Sequence, residues 1–404
     1  MKNVFGKTDI LLPRCAPECE KWETWSVIAC DQHTSEPAYW EQTEQITEGV
    51  PSTLGLILPE AYLGTEKEAA QKERIAAAPA SLKDGYLKEY KNSLVYVERT
   101  LSSGAVRRGL VGAVVLDAYD YEKGSAPDVR PTEGTVKERI PPRVAVRRDS
   151  VYEASHVMLF CECPELFDML TSRKDSLHIL YDFDLMQGGG HITGYLVADE
   201  ALEAEAMIGE YEASRRASGE MMYGVGDGNH SLASAKAYLE ELRAAGKDIG
   251  GAADALVELV PISERAIVFE PIYKTVSGAD TKSLLSFIKE RAAKGAGAPV
   301  VMYTDEGETP FTIGVPDGGL VCGVLQDAID AFLAEHGGKC DYIHGKENLI
   351  ALSKDGTAGF VFDGIEKEDL FPYVSKFGVL PRKAFSMGEA CEKRYYTELR
   401  LLKK

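Results

Sequence analysis

The sequence predicts an α/β fold with mixed sheets, and three observations carry that reading. Short apolar runs of strand length alternate with stretches whose apolar residues recur at helical spacing. A strand, a glycine-rich turn and a helix follow one another directly between Met221 and Leu242. No internal repeat or low-complexity tract interrupts the 404 residues, a length that corresponds to two or three domains at roughly 150 residues each.

Leu110-Val-Gly-Ala-Val-Val-Leu116 is a continuous apolar run, and Val157-Met-Leu-Phe-Cys161 ends a second buried strand. Leu177 to Phe183 and His191 to Ala198 form a hairpin around Gln187-Gly-Gly-Gly190. A helix follows, with Asp199 as N-cap, glutamates in its first turns, Arg215 and Arg216 near its end and Gly219 after it, so its charges match the helix dipole. Met221 onward is a short strand, and Leu232, Ala235, Leu239 and Leu242 share one helical face ending near Gly246. Asp280 caps a helix with Leu284, Phe287 and Ile288 inward, and Leu325, Ile329 and Phe332 mark another, stopped by Gly337-Gly338. Strands at Val300 to Tyr303, Phe311 to Val315 and Gly359 to Phe362 surround these helices. The element order changes near Pro261. It divides the chain into a main α/β domain at 1–260, carrying the site, and a C-terminal α/β portion at 261–404, with a single intertwined domain as the alternative.

Forty-five basic against 64 acidic residues give a net charge of −19, which argues against a nucleic-acid-binding face. No run approaches the ~18 apolar residues of a membrane helix, and no signal-peptide pattern opens the chain, so a cytoplasmic protein is expected. Eight cysteines are too sparse for a disulfide scaffold and read as thiols. Cys15 and Cys19, and Cys161 and Cys163, are the two close pairs, and neither has a histidine pair to complete a zinc site.

The segment Gly224-Val-Gly-Asp-Gly-Asn-His-Ser231 carries the strongest chemical signal. Its glycines permit positive φ and a close backbone approach to a ligand. A helix start offers free N–H groups and a positive dipole end, which favour an anion such as phosphate. Asp227 suits a base or metal ligand, and His230 a phosphate donor or proton shuttle. The same residues also suit a plain tight turn with Asp227 or Asn229 as helix cap, and the spacing matches neither the dinucleotide fingerprint nor the P-loop. Arg130, Glu133, Thr135 and Arg139 form a second cluster, suited to bidentate anion contacts or to a solvated charged loop. Ile28-Ala-Cys-Asp-Gln-His-Thr-Ser35 places Asp31 at a strand end, where ligands bind in open α/β sheets, although His33 and its neighbours also suit an ordinary turn. His156, His178, His336 and His344 have no sequence partner and read as structural.

Gly226-Asp-Gly-Asn-His-Ser-Leu-Ala-Ser-Ala235 resembles the Ala-Asp-Gly-His-His-Arg-Tyr-Glu-Thr-Ala signature of a bacterial family, domain of unknown function 1015. Arg130-Pro-Thr-Glu-Gly-Thr135 with Arg139, the His191 that opens a strand, and Leu380-Pro-Arg-Lys-Ala-Phe-Ser386 resemble further family segments in the same order. Asn229 stands where the signature has its first His, and Ser231 where it has Arg. A cation for phosphate must then come from Arg130, Arg139, Arg382 or Lys383. The Asp-Gly helix start is also similar to the ParB/sulfiredoxin-like superfamily, in which this turn holds nucleotide phosphates. That similarity implies a ParB/sulfiredoxin-like strand–turn–helix core.

The resulting expectation is a nucleotide-dependent phosphotransferase or hydrolase acting on a small molecule. Asp227, His230 and His191 are the expected catalytic residues. Gly226, Gly228, Asn229, Arg130, Arg139 and Lys383 would bind phosphate, and Asp31 and Glu133 the substrate. Asp227, His230 and His191 are expected to line one pocket, with Arg130 or Arg139 on its wall. Mg²⁺ and ATP or ADP are implied by phosphoryl-transfer chemistry rather than by a motif. Two alternatives remain: a non-catalytic nucleotide- or anion-binding regulatory protein, and a metal-dependent hydrolase using Asp31, His191, Asp227 and His230.

Overall fold

The computed structural model describes residues 2–82, 85–198, 200–292 and 294–403. The chain is a mixed α/β protein that divides into two compact units, Met1–Ile267 with Glu389–Lys404, and Val268–Gly388. The division therefore falls just after 267 rather than at 261, and the last residues return to the first unit. They do so because Leu399–Leu401 pairs with Thr8–Pro13 and Tyr152–Ala154, and Tyr395–Tyr396 with Val27–Ile28.

The first unit is built on one long sheet. Its strand order runs Val129–Pro131, Tyr223–Asp227, Met158–Cys161, Asp254–Pro261, Val106–Val115, Leu87–Thr100, Thr8–Pro13, Leu399–Leu401, Tyr152–Ala154. Two pairings are parallel, Tyr223–Asp227 on Val129–Pro131 and Asp254–Pro261 on Met158–Cys161, and the rest of this path is antiparallel. The hairpin His178–Asp184 with His191–Val197 pairs onto Leu87–Thr100. Both faces of the sheet are buried, so Leu94 and Tyr96 enter one core while Val95 and Val97 enter the other. That explains why Leu110 to Leu116 is apolar without alternation.

The helices follow the sequence pattern. Asn229–Ala244 buries Leu232, Ala235 and Leu239. Ala201–Ser218 has Arg215 and Arg216 in its last turn and ends at Gly219, whose φ is 74°. The expected cap Asp199 lies outside the described residues. In the second unit, Asp280 caps Thr281–Arg291 by accepting from the Ser283 N–H at 2.8 Å. Val321–His336 buries Leu325, Ile329 and Phe332. The second sheet has the order Gly307–Val315, Ala296–Thr304, Ala358–Phe362, Phe269–Ser277, Lys339–His344, with Phe385–Met387 also pairing onto Phe269–Ser277. Lys274 is fully buried there, its ammonium 5.3 Å from the centre of the Tyr342 ring and 5.6 Å from that of Phe362, and burial lowers its pKa. Among the described residues, no helix is long and apolar enough to cross a membrane. All eight cysteines are free thiols.

Candidate functional site

The site forms in the first unit where three strand ends meet. Tyr223–Asp227 runs antiparallel to Met158–Cys161 and brings Asp227 opposite Met158. The chain then turns sharply through Gly228 into the helix. Gly228 has φ 79°, and a Cβ there would lie 2.9 Å from Val157 Cα, so only glycine fits the turn and its packing. The other two glycines act differently from expectation. Gly224 and Gly226 do not adopt positive φ. A Cβ on Gly226 would fall 2.4 Å from the Phe160 ring, so Gly226 makes room for packing within the sheet, not for a ligand.

No side chain caps the Asn229–Ala244 helix. Asp227 Oδ1 instead accepts from the Gly228 N–H at 2.9 Å. The first helical N–H groups therefore remain open to an anion. Asp227 Oδ2 and Asn229 Oδ1 are buried without a hydrogen-bond partner. Lys393 Nζ stands 3.9 Å from Asp227 Oδ2.

Asp31 follows the short strand Val27–Ile28, which pairs with Tyr395–Tyr396. His156 Nε2 faces Asp31 Oδ2 at 3.7 Å, and His156 Nδ1 lies 2.6 Å from the Tyr396 hydroxyl. The Cys30 N–H donates to that same hydroxyl oxygen at 3.2 Å. The Tyr396 hydroxyl thus links the Cys30 N–H to His156 Nδ1, and Nε2 faces the Asp31 carboxylate. Burial acts to raise the Asp31 pKa, but the His156 ring, the Gln32 amide and the Lys393 ammonium outweigh it. The carboxyl is held well below the usual range, so Asp31 is a fixed anion.

His230 completes the group. Its Nε2 accepts from the Val136 N–H at 3.1 Å. Burial, followed by the Arg143 and Arg139 guanidinium groups, lowers its pKa from 6.5 to about 4. The ring is neutral at pH 7 and carries its proton on Nδ1, the nitrogen available to donate. Arg143 also donates to the Arg139 carbonyl at 2.8 Å and pairs with Glu60. Beside these residues a cleft open to solvent is lined by Cys30, Arg143, His156, Ser231, Ser234 and Tyr396, with Leu56, Ile57, Leu58 and Val146 on its apolar side.

The structure thus gathers Asp31, Asp227, Gly228, Asn229, His230 and Arg139 of the expected residues; Gly226 packs inside the sheet, and His191, Arg130 and Glu133 are not part of the group. His191 sits next to Ile192, which enters the apolar core, so strand alternation turns His191 to the opposite face. There its ring nitrogens meet Asp184 and Asp182, each at 2.7 Å. Burial acts against its charge, but these carboxylates outweigh burial and raise its pKa. The shared pocket of Asp227, His230 and His191 is not formed, and neither is the four-ligand set of a metal-dependent hydrolase. Among the described residues no three His, Cys, Asp or Glu side chains group as a metal centre requires. Arg130 lies opposite Gly224, roughly 10 Å of strand before Asp227. Its Nε donates to Pro127 O at 2.9 Å, within its own turn. Glu133 is partly buried in the following loop, which Thr132 ties to Val225 O at 2.7 Å. Arg382 and Lys383 belong to the second unit, where the Arg382 guanidinium lies 5.6 Å from the centre of the Tyr342 ring.

Sequence reasoning missed His156, Arg143 and Lys393. Arg143 had a signal, because Arg139, Arg143 and Arg147 recur every four residues through Ile140–Asp149. His156 and Lys393 had none.

No curated protein matches the chain. Among solved structures, it is similar to a free serine kinase in complex with AMP, at 13% identity and TM-score 0.38, over 70% of this chain and 90% of that one. It is similar to a conserved hypothetical protein from Pyrococcus furiosus at 15% identity and TM-score 0.34, over 69% and 90%. A third likeness is to C-terminally truncated SbnI from Staphylococcus aureus, at 10% identity and TM-score 0.36, over 69% and 82%. The family model for a protein of unknown function, DUF1015, matches residues 11–332, most of the chain and all of the described site except Lys393 and Tyr396. The chain belongs to the DUF1015 family.

Proposed function

We propose that the chain is a nucleotide-dependent phosphotransferase or hydrolase acting on a small molecule, with its reaction centre at the start of the Asn229–Ala244 helix. One observation carries this reading. Two carboxylates, Asp31 and Asp227, stand at an uncapped helix N-terminus together with Lys393, Arg143 and a neutral His230. Phosphoryl transfer asks for positioning and charge neutralisation more than for covalent chemistry. The open N–H groups and Lys393 receive phosphate oxygens, and His230 Nδ1–H donates a further hydrogen bond. Asp31, held ionised and oriented by His156, accepts a hydrogen bond from the attacking hydroxyl or water and so orients it toward the phosphorus. Mg²⁺ carried on the phosphates would supply further neutralisation, and Asp227 Oδ2, which makes no hydrogen bond, would be its protein ligand. The neighbouring cleft accepts the rest of the small molecule against its apolar side.

Ser231 favours a second reading, an anion-binding regulatory protein. It brings no charge to a position where the family signature has Arg. Calorimetry with ATP, ADP and CTP in Mg²⁺, followed by assay of phosphate release, tests both. Asp31→Asn is expected to keep binding and lose turnover by about 10²-fold, the scale of losing the orientation of the attacking group. Binding without turnover in the wild type selects the regulatory reading, and no binding of any nucleotide or phosphate by the folded protein overturns both.

A further inference from the structure

We propose that Arg99 and Arg107 are positioning residues that aim Lys393 at the start of the Asn229–Ala244 helix, an inference that rests on the phosphate role given to Lys393 above. The two arginines are cross-strand partners on Leu87–Thr100 and Val106–Val115. Arg99 shares the strand face of Val95 and Val97, which enter the apolar core, and is 2% exposed; Arg107 is 4% exposed. Two adjacent buried guanidinium groups repel each other and lose their hydration, so apolar packing alone gives no reason for them. The carbonyls they hold do. Arg99 Nη2 donates to Cys391 O at 2.6 Å, and Nη1 donates to Glu392 O at 3.2 Å and to Lys393 O. Arg107 Nη1 donates to the same Glu392 O at 2.8 Å. Arg99 Nε and Nη2 also hold Gly189 O, at 3.2 and 2.8 Å, and the guanidinium stands 5.0 Å from the centre of the Tyr395 ring. Arg107 Nε faces Glu258 Oε1 at 3.8 Å, and Glu258 is already paired with Arg394.

The segment they hold is a single turn. Glu389 and Glu392 close a capping box around Ala390–Glu392, and the Lys393 N–H donates to Ala390 O at 3.1 Å. The carbonyls of Cys391, Glu392 and Lys393 fall to the two arginines, so the Lys393 backbone is fixed at both its N–H and its carbonyl. The Ala29 N–H donates to Arg394 O at 3.0 Å, which ties the same turn to the segment carrying Asp31. From this base the Lys393 ammonium stands 3.9 Å from Asp227 Oδ2. Ordering a loose segment on binding costs affinity, and a lysine whose backbone is already held brings its charge to an anion with less loss.

The test uses the whole protein and inorganic phosphate, with calorimetry on a double-mutant cycle of Arg99→Lys and Lys393→Met. Lys393→Met is expected to weaken phosphate binding about tenfold, the loss of one charge-assisted hydrogen bond. Arg99→Lys keeps the charge but loses the forked donors, and is expected to weaken binding about threefold. The double variant should bind no more weakly than Lys393→Met alone, because the arginine acts through the lysine. Losses that add overturn the proposal and leave the arginine a stabilising role only. If Arg99→Lys does not fold, the same cycle with Arg107→Lys decides, since that change gives up the bond to Glu392 O alone among those to the turn. A second measurement needs no phosphate: trace acetylation with acetic anhydride, read lysine by lysine from peptide masses. The Lys393 side chain is 16% exposed and that of Lys91 77%. In the wild type Lys393 should label at least about tenfold more slowly than Lys91, and in either arginine variant about threefold faster than in the wild type, with the other lysines unchanged. Wild-type Lys393 labelling at the rate of Lys91, or at a rate unchanged in the folded variants, overturns the proposal. A wild type that binds no phosphate yet shows the expected labelling overturns the function proposed above and leaves the anchoring of Lys393 standing.

Discussion

At the scale of single residues, the candidate site holds side chains in their charge states over a wider pH range than water alone would. His230 is the clearest case. Its ordinary pKa of 6.5 falls to about 4, first because the ring is buried and then because Arg143 and Arg139 stand near it. The sign follows from linkage. Between pH 6.5 and 4 the unfolded chain binds a proton at this residue and the folded chain does not. The contribution of neutral His230 to stability is therefore complete above pH 6.5 and lost as the pH falls toward 4. NMR titration of the histidine rings is expected to show His230 neutral, protonated on Nδ1, down to about pH 5. A His230 ring titrating at 6 or above would mean that the guanidinium groups do not act on it. Adding phosphate should raise this pKa, because an anion at the helix start offsets both arginines.

At the scale of the element, the strand–turn–helix depends on one backbone conformation. Gly228 combines φ 79° with a missing Cβ that would sit 2.9 Å from the Val157 backbone. Gly219 has a similar φ, 74°, but open space where its Cβ would stand. The pair separates backbone strain from steric clash. Gly219→Ala is expected to cost about 1 kcal/mol, the left-handed penalty alone. Gly228→Ala must also move the chain at 157 and is expected to cost about 2–4 kcal/mol. Urea unfolding of the two variants measures this directly. Equal losses would show that the turn relaxes without displacing Val157. Only the Gly228 variant should lose anion binding, since only there does the displaced segment carry His156.

At the scale of the whole molecule, the first unit is held together partly by buried charge. Glu153 is buried against Arg147 and Arg400 and also accepts from the Leu256 N–H at 3.1 Å. Glu258 and Glu398 share Arg394 at 2.8 Å each. Burial acts to raise the Glu153 pKa, but Arg147 and Arg400 outweigh it and lower it from 4.5. A depressed carboxyl pKa stabilises the fold above pH 4.5 and ceases to do so as the pH falls through the folded value. Glu153→Gln removes one partner of a buried network and is expected to cost about 3–5 kcal/mol at pH 7. The loss should shrink as the pH is lowered from 4.5 through the depressed folded pKa, where the wild type protonates too. Thermal unfolding across pH checks this, and a loss that is constant with pH would assign the effect to packing instead.

Much of the fold was legible because its signals are local. Apolar runs, helical spacing, the Asp280 cap and the glycine stops each lie within one element, and each element forms where its own residues place it. The Asp227-Gly-Asn turn was legible for the same reason, since its geometry is set by adjacent residues. What the tertiary structure decided is which distant residues meet the turn. Tyr396 reaches Cys30 and His156 only because the last strands return to the first unit, so no spacing could reveal His156 as the partner of Asp31. The alternation of Ile192 and His191 was visible, but which face of that strand meets the site depends on the sheet around it. Pairing, and with it the electrostatic field around Asp31, Asp227 and His230, is a long-range property. Local sequence determines the elements of this protein, and the order of strands in the sheet determines its site.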